Sequence, residues 1–209
     1  MGGVRPLPDG RGSVKANGII IPVSRAGFVL LGGKSSRMGR DKALLPFRGA
    51  ALAGYVAAEV EAAAGSVSLI GDPQKYGQLG YAVLPDRRPG AGPLGGIESA
   101  LSYTDADWNL VVACDMPGLQ AEFLRGLLEA AEDAGADALA PAGPSGRLEP
   151  LCAVYGRGCL ATFSRALDAG VRKVTDGLAG LEVARLDVDN AACFENLNTP
   201  EDWACYHNR

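Results

Sequence analysis

The sequence has very little histidine: its 209 residues include a single one, His207, third from the C-terminus. Chain termini tend to fray, so this position is a poor place for a catalytic base. A Ser-His-Asp triad and a histidine-rich metal site are therefore excluded by composition.

Cysteine is also scarce, and its spacing fits no familiar framework. The five cysteines are widely separated, and no C-x-x-C occurs. An odd, scattered set argues against both a disulfide scaffold and a zinc site. The pattern favours reduced thiols in the core and predicts a cytoplasmic location.

Long hydrophobic runs and an excess of one charge are absent too. No apolar run is long enough to span a bilayer, and no apolar segment resembling a signal peptide follows the first arginines. The formal net charge is −4, which gives no reason to expect nucleic-acid or membrane binding. Hydrophobic residues make up 47% of the chain, enough for one sizeable core.

The chain is expected to divide at residue 24. Residues 1–24 are rich in glycine and proline and predict a flexible N-terminal extension, in which the apolar stretch 19–23 gives a weak indication of an edge strand. Residues 25–209 predict a single domain.

Strand and helix patterns alternate along most of this domain. Strands are predicted at 27–31, 67–70, 81–84, 110–113 and 136–140, and helices at 50–64, 95–104 and 119–134. After residue 145 we predict an extended stretch at 147–155, with an indication of antiparallel pairing. Helices at 157–169 and 172–180, a strand at 181–188 and a last helix capped by Thr199 follow. The alternation predicts a three-layer α/β/α fold with a mostly parallel, Rossmann-like sheet.

A glycine-rich, basic loop follows the first predicted strand. Its sequence, residues 30–42, is LLGGKSSRMGRDK, with three glycines, two serines and four cationic side chains. Consecutive backbone N–H groups in such a loop form a concave anion site, and ligands of parallel sheets bind beyond the carboxyl ends of the strands. The loop therefore suits a triphosphate, and Asp115, which follows another predicted strand, should lie at the same edge.

Neither common nucleotide-binding loop is present here. The segment does not fit G-x-x-x-x-G-K-[ST] or G-x-G-x-x-G. A formal G-x-G-x-x-G occurs at residues 90–95, but Pro93 interrupts it and no strand directly precedes it, so the sequence alone gives it little weight.

The basic loop resembles the signature of the molybdenum cofactor guanylyltransferase family, L-x-G-G-x-S-x-R-M-G-x-D-K. Sugar-nucleotide and cytidylyl transferases share a looser version. Further pieces follow in the family's order from about residue 26 to 204: LPD at 84–86, GPLGG at 92–96, CDMP at 114–117, EP at 149–150 and NLNTP at 196–200.

The resemblance implies a set of site residues. Backbone groups would line the nucleotide, catalytic cations would hold its phosphates, one carboxylate would contact the nucleotide and another would bind both nucleotide and Mg²⁺. The backbone groups are those of Leu30, Leu31, Gly32 and Gly33. The catalytic cations are Arg37 and Lys42, and Lys42 also counts as nucleotide-binding. Asp86 is the carboxylate that contacts the nucleotide, and Asp115 is the one that binds both nucleotide and Mg²⁺. Many family members carry an asparagine after the second strand, whereas this chain has Asp72 as the candidate to accept from a guanine edge.

The resemblance also implies a reaction. GMP would pass from GTP to the terminal phosphate of a molybdopterin cofactor, with transient contacts to molybdoenzymes or other cofactor-biosynthesis proteins. A phosphate nucleophile is already ionised at neutral pH, so the lack of a usable histidine is no obstacle. A cytidylyltransferase, another small-molecule phosphate nucleotidyltransferase and a non-catalytic nucleotide-binding module remain alternatives.

Overall fold

The computed structural model of the protein describes residues 13–16, 19–32, 41–189, 191–197, 202 and 206. The strands are β1 (Ser13–Ala16), β2 (Ile19–Pro22), β3 (Arg25–Leu30), β4 (Pro46–Phe47), β5 (Ala50–Ala51), β6 (Val67–Ile70), β7 (Ala82–Leu84), β8 (Trp108–Ala113), β9 (Ala138–Ala142), β10 (Cys152–Gly156) and β11 (Val183–Asp187). The α-helices are α1 (Leu52–Ala64), α2 (Pro73–Tyr76), α3 (Pro93–Ser102), α4 (Ala121–Ala134), α5 (Cys159–Asp168) and α6 (Val174–Gly177).

A seven-stranded sheet forms the centre of the domain, in the order β11-β9-β10-β8-β3-β6-β7. Strand β10 runs antiparallel to both of its neighbours, and the other six strands run parallel to one another. The chain moves outward from β3 through β6 to β7 and then returns to place β8 on the other side of β3. This reversal creates the crevice in which open α/β sheets bind ligands.

Helices cover both faces of the sheet. On one face α1 packs against α4, and on the other α3 packs against α5. Side chains alternate accordingly along β3, where Val29 joins the first core cluster and Phe28 and Leu30 join the second. The predicted three-layer α/β/α fold with a mostly parallel sheet is confirmed.

Most predicted elements are present within a few residues of their expected bounds. The largest differences are at 147–155, where the strand is Cys152–Gly156 and runs antiparallel as indicated, and at 172–180, where the helix is confined to Val174–Gly177. The weakly indicated strand near residue 20 exists, but it pairs with Ser13–Ala16 as a separate two-stranded sheet. The helix expected after Thr199 lies outside the described residues, apart from Asp202 and Tyr206, which are helical.

The start of the domain is held by a side chain. Ser24 donates to the Asp107 carboxylate from its backbone N–H at 2.9 Å and from its hydroxyl at 2.8 Å. These bonds fix the entry to β3 beside the start of β8. The division of the chain at residue 24 remains a prediction. No helix in the described part of the chain has the length and apolarity required to cross a bilayer.

Helix α1 approaches β3 very closely because Gly27 lacks a side chain. A Cβ at Gly27 would lie 2.5 Å from Val60 Cγ1 and 2.6 Å from the Ser66 carbonyl oxygen. The second contact is with backbone, which cannot turn aside as a side chain can. The position of α1 against the sheet therefore depends on this glycine.

We expect Gly27→Ala to lower the free energy of unfolding by about 1–3 kcal/mol, because the added methyl group overpacks the contact with α1. Urea titration would measure the loss. Gly126→Ala is the matched control: Gly126 is an exposed residue of α4 with open space around its Cβ position, so this change should stabilise by about 0.5–1 kcal/mol. Equal stability of Gly27→Ala and wild type would contradict the tight packing described here.

Candidate active site

A cavity of about 660 Å³ opens at the carboxyl edge of the sheet. It is bordered by residues that follow β3, β6, β7 and β8, and by the start of α3. The lining residues are Leu30, Leu31, Gly32, Asp41, Lys42, Ala43, Ile70, Asp86, Gly90, Gly92, Pro93, Gly96, Ala113, Cys114, Asp115 and Leu151. Most sequence-predicted site residues among those described thus meet in one place.

Backbone groups at the end of β3 form the floor of the cavity. The N–H of Leu31 donates to the Ile70 carbonyl at 2.8 Å, which holds the chain against β6 just beyond the strand. Gly32 is exposed, and nothing lies within 4 Å of its Cβ position. A ligand can therefore approach the Gly32 backbone directly. Gly33 and Arg37 lie outside the described residues, and their roles remain predictions.

Lys42 and Asp115 form an ion pair in the lining of the cavity. The Lys42 Nζ lies 3.8 Å from the Asp115 Oδ2, with side-chain exposures of 17% and 24%. Lys42 belongs to a short 3₁₀ turn, Lys42–Leu44, and Asp115 directly follows the end of β8. Parallel pairing of β3 with β8 brings these two segments together.

Burial changes the acid–base behaviour of Asp115. Desolvation raises the pKa of this carboxyl, and the nearby Lys42 only partly opposes the rise. The backbone carbonyl of Asp115 also accepts the N–H of Leu197 at 3.0 Å. This bond ties Leu197 to the backbone at the end of β8.

Asp86 lies in the cavity wall and organises the loop that follows β7. Its Oδ1 accepts the backbone N–H of Arg88 at 2.9 Å and the hydroxyl of Ser99 at 3.0 Å. The same Ser99 hydroxyl accepts the backbone N–H of Arg87 at 2.9 Å. The loop is thereby tied to α3 at a fully buried serine.

The first turn of α3 gives the cavity an electropositive end. Gly92, at the N-cap, has a φ of 75°, which places it in the region that glycine tolerates, and Pro93 begins the helix. Gly96 allows α3 to approach β3, since a Cβ there would lie 3.3 Å from Leu30 Cδ2. The dipole of this ten-residue helix favours an anion at this end.

Asp72 is the one described candidate that does not line the cavity. It is exposed and caps α2, where its Oδ1 accepts the N–H of Gln74 at 2.9 Å. The structure thus accounts for Asp72 by local helix capping. Its assignment as a reader of the base remains a prediction.

Sequence reasoning missed two parts of this site. The first is Asp41, which it treated only as part of the signature. The second is the glycine-rich start of α3, which it quoted for the resemblance but did not count among the site residues. Their signals were the Asp-Lys pair at the end of the basic loop and the density of glycine around Pro93.

A site of this kind suits one class of chemistry. Lys42 and the start of α3 can offset phosphate charge, Asp115 offers hard oxygen ligands, and transfer between phosphates requires positioning and charge stabilisation rather than a strong base. The fold and the site together define a nucleotidyltransferase.

Comparison with known proteins agrees. The sequence profile of the MobA-like NTP transferase domain matches residues 27–183, and the chain belongs to this family. A probable molybdenum cofactor guanylyltransferase from Pelotomaculum thermopropionicum is 37% identical over 184 residues, covering 84% of this chain and 88% of its own length. The homologue of the same name from Deinococcus radiodurans is 33% identical over 185 residues, covering 88% and 94%.

Solved structures show the same relationship. The crystal structure of molybdopterin-guanine dinucleotide biosynthesis protein A from Archaeoglobus fulgidus superposes with a TM-score of 0.76 at 28% identity, covering 88% of this chain and 97% of that one. The predicted family and the nucleotidyltransferase class are confirmed.

The raised pKa of Asp115 predicts a pH-dependent cost to stability. Because its pKa is higher in the folded than in the unfolded state, the ionised carboxylate weakens the metal-free fold at neutral pH. Asp115→Asn should therefore raise the free energy of unfolding at pH 7. The gain should vanish once the pH is low enough to protonate Asp115 in both states.

Asp107→Asn provides a control of opposite sign. Hydrogen bonds from the backbone and hydroxyl of Ser24 lower the pKa of Asp107, so its carboxylate stabilises the fold above its unfolded-state pKa, and this contribution is lost as the pH falls. This variant should be less stable than wild type at pH 7. Urea titrations between pH 3 and 7 would test both; a loss of stability in Asp115→Asn at neutral pH would contradict the burial effect.

Proposed function

We propose that the protein transfers GMP from GTP to the terminal phosphate of a molybdopterin cofactor, releasing pyrophosphate and forming the guanine dinucleotide cofactor. The observation that carries the proposal is the ion pair of Lys42 and Asp115 in a cavity whose far side is the start of α3. The names of the homologues from Pelotomaculum thermopropionicum and Deinococcus radiodurans support guanine as the base and the molybdenum cofactor as the acceptor.

The reaction exchanges one bond to phosphorus for another. An oxygen of the acceptor's terminal phosphate attacks the α-phosphorus of GTP in line, and the bond from that phosphorus to the oxygen bridging to the β-phosphate breaks. Pyrophosphate leaves with the electron pair. The attacking phosphate is already ionised at neutral pH, so the chain need not supply a general base.

The protein's own groups act by binding and charge. Lys42 holds an oxygen of the transferring or leaving phosphates, and the positive end of the α3 dipole stabilises a phosphate beside it. Asp86 keeps the loop before α3 in place through Ser99 and Arg88. Gly32 lets the nucleotide lie against the backbone beyond β3.

Asp115 fits a divalent metal, proposed to be Mg²⁺. Enzymes of this family generally use such a metal. In the described part of the chain no group of three or more metal-binding side chains lies together. A single carboxylate whose remaining partners come from substrate phosphates and water is the arrangement that Mg²⁺ prefers. When bound, the ion would supply positive charge to the phosphates, and Asp115 would hold it opposite Lys42.

We expect Lys42→Ala to lower kcat by about 100- to 1,000-fold, the cost of removing one preorganised charge-stabilising donor. Steady-state pyrophosphate release would measure it. Arg165→Ala is the control, because Arg165 is an exposed residue of α5 whose side chain donates to Thr162 of the same helix. A Lys42→Ala protein that turns over at the wild-type rate would exclude this role.

One assay tests both the choice of nucleobase and the transfer reaction. We expect purified protein with Mg²⁺ and molybdopterin to release pyrophosphate from GTP and much less from CTP. Release from CTP alone would move the protein to the cytidylyl branch. Tight binding of either nucleotide without any release, across a range of phosphate acceptors, would favour the non-catalytic binding module.

A further inference from the structure

Asp41 is anchored at the rim of the cavity by a neighbouring segment. Its Oδ2 accepts the hydroxyl of Tyr76 at 2.6 Å and forms an ion pair with Lys75, while its Oδ1 accepts the N–H of Ala43 at 3.0 Å. The Asp41 side chain is 17% exposed. Both carboxylate oxygens are thus engaged within the protein, which suits Asp41 to orienting its neighbours rather than to binding a metal.

The anchored residue sets the turn that carries Lys42. Asp41 immediately precedes Lys42 and is the N-cap of the 3₁₀ turn Lys42–Leu44. The turn itself has few hydrogen bonds: Leu44 N–H to the Asp41 carbonyl at 3.2 Å and Leu45 N–H to the Lys42 carbonyl at 3.1 Å. So short a turn has little stability of its own: the buried Ala43 packs it into the core, and the Asp41 cap holds the end that carries Lys42.

Tyr76 is well placed to hold this cap because it cannot easily move. It is 5% exposed and packs in the core against the ends of β3 and β6. A Cβ at Gly71 would lie 3.0 Å from the Tyr76 ring and 3.1 Å from Leu31 Cβ, so the ring fills the space beside the first residue after β3.

The chemistry of the contact favours a fixed direction for the hydrogen bond. Burial, together with the adjacent Asp41, raises the pKa of Tyr76 to about 12, so the hydroxyl keeps its proton and donates it to the carboxylate. Burial acts to raise the pKa of Asp41, but the bonds from Lys75, Tyr76 and Ala43 outweigh it and lower the pKa. A hydroxyl that donates to an ionised carboxylate makes a charge-assisted hydrogen bond, which is stronger than one between neutral groups.

We propose that Tyr76 is a positioning residue for the transfer reaction: its hydroxyl, acting through Asp41, fixes the turn that holds the Lys42 ammonium opposite Asp115. The inference rests on the proposed function, because that function gives Lys42 its role on phosphate. The short helix α2, which carries Tyr76, is capped by the Asp72 side chain at the Gln74 N–H, and the Asp72 backbone carbonyl accepts the Tyr76 N–H at 3.0 Å.

The test removes the hydroxyl and keeps the ring. Tyr76→Phe should lower kcat/KM for GTP about tenfold, the equivalent of one hydrogen bond to a charged group. Tyr81→Phe is the matched control: Tyr81 is partly buried, and its hydroxyl contacts the Gly54 carbonyl on α1 at 3.5 Å, away from the cavity. Asp41→Asn, which keeps the size of the side chain but weakens its pairing with Tyr76 and Lys75, should reduce kcat/KM in the same direction.

A double mutant separates positioning from general loosening. If Tyr76 acts through Lys42, then Tyr76→Phe introduced into Lys42→Ala should cause no further loss in kcat/KM. The stability of each variant is measured by urea titration alongside. Activity of Tyr76→Phe equal to that of Tyr81→Phe, or a full tenfold loss added to that of Lys42→Ala, would overturn the inference.

The same variants distinguish a failure of the proposed function from a failure of the positioning role of Tyr76. If Lys42→Ala alone leaves turnover of GTP unchanged, the role of Lys42 on phosphate is wrong whatever Tyr76 does. If Lys42→Ala is severely impaired while Tyr76→Phe and Asp41→Asn match the wild type, the role of Lys42 stands and Tyr76 has no positioning role.

Discussion

The parallel pairing of β3 with β6 on one side and β8 on the other is the constraint on which the site depends. Parallel strands end at the same edge of a sheet, so the segments that follow them must meet. Gly32 and Lys42 after β3, Asp86 after β7 and Asp115 after β8 are far apart in sequence and share one cavity for this reason. Gly27 allows α1 to pack closely enough to keep β3 in place.

The site concentrates opposing charges where water is partly excluded. Asp115 carries a raised pKa because of burial, and Lys42 compensates for only part of that cost. Such an arrangement is unfavourable for the empty fold, and under the proposed function the bound phosphates and cation supply the compensating charges. The Asp41 carboxylate beside it has the opposite character: three donors satisfy it and lower its pKa. Two carboxylates at one cavity thus differ in role because their partners differ.

Supporting contacts recur around the cavity. Ser99 on α3 holds Asp86, Tyr76 on α2 holds Asp41, and Leu197 holds the backbone of Asp115. Each joins a residue of the cavity to an element that lies behind it. This arrangement restricts the side chains that face a ligand, and preorganisation of that kind is what charge stabilisation requires.

The sequence by itself determined the fold class and most of the cavity. The alternation of apolar strand and helix patterns required a layered α/β domain, and the basic glycine-rich loop after β3 marked its ligand edge, because these features depend on residues close together in the chain. Lys42 and Asp115 were identifiable in this way, and Asp86 followed from the family resemblance. Only the tertiary structure decided that Asp72 caps a helix outside the cavity, that β10 lies between β8 and β9, and that Tyr76 reaches Asp41 across 35 positions. Those outcomes depend on which surfaces pack together, and local propensity carries no information about contacts between distant segments.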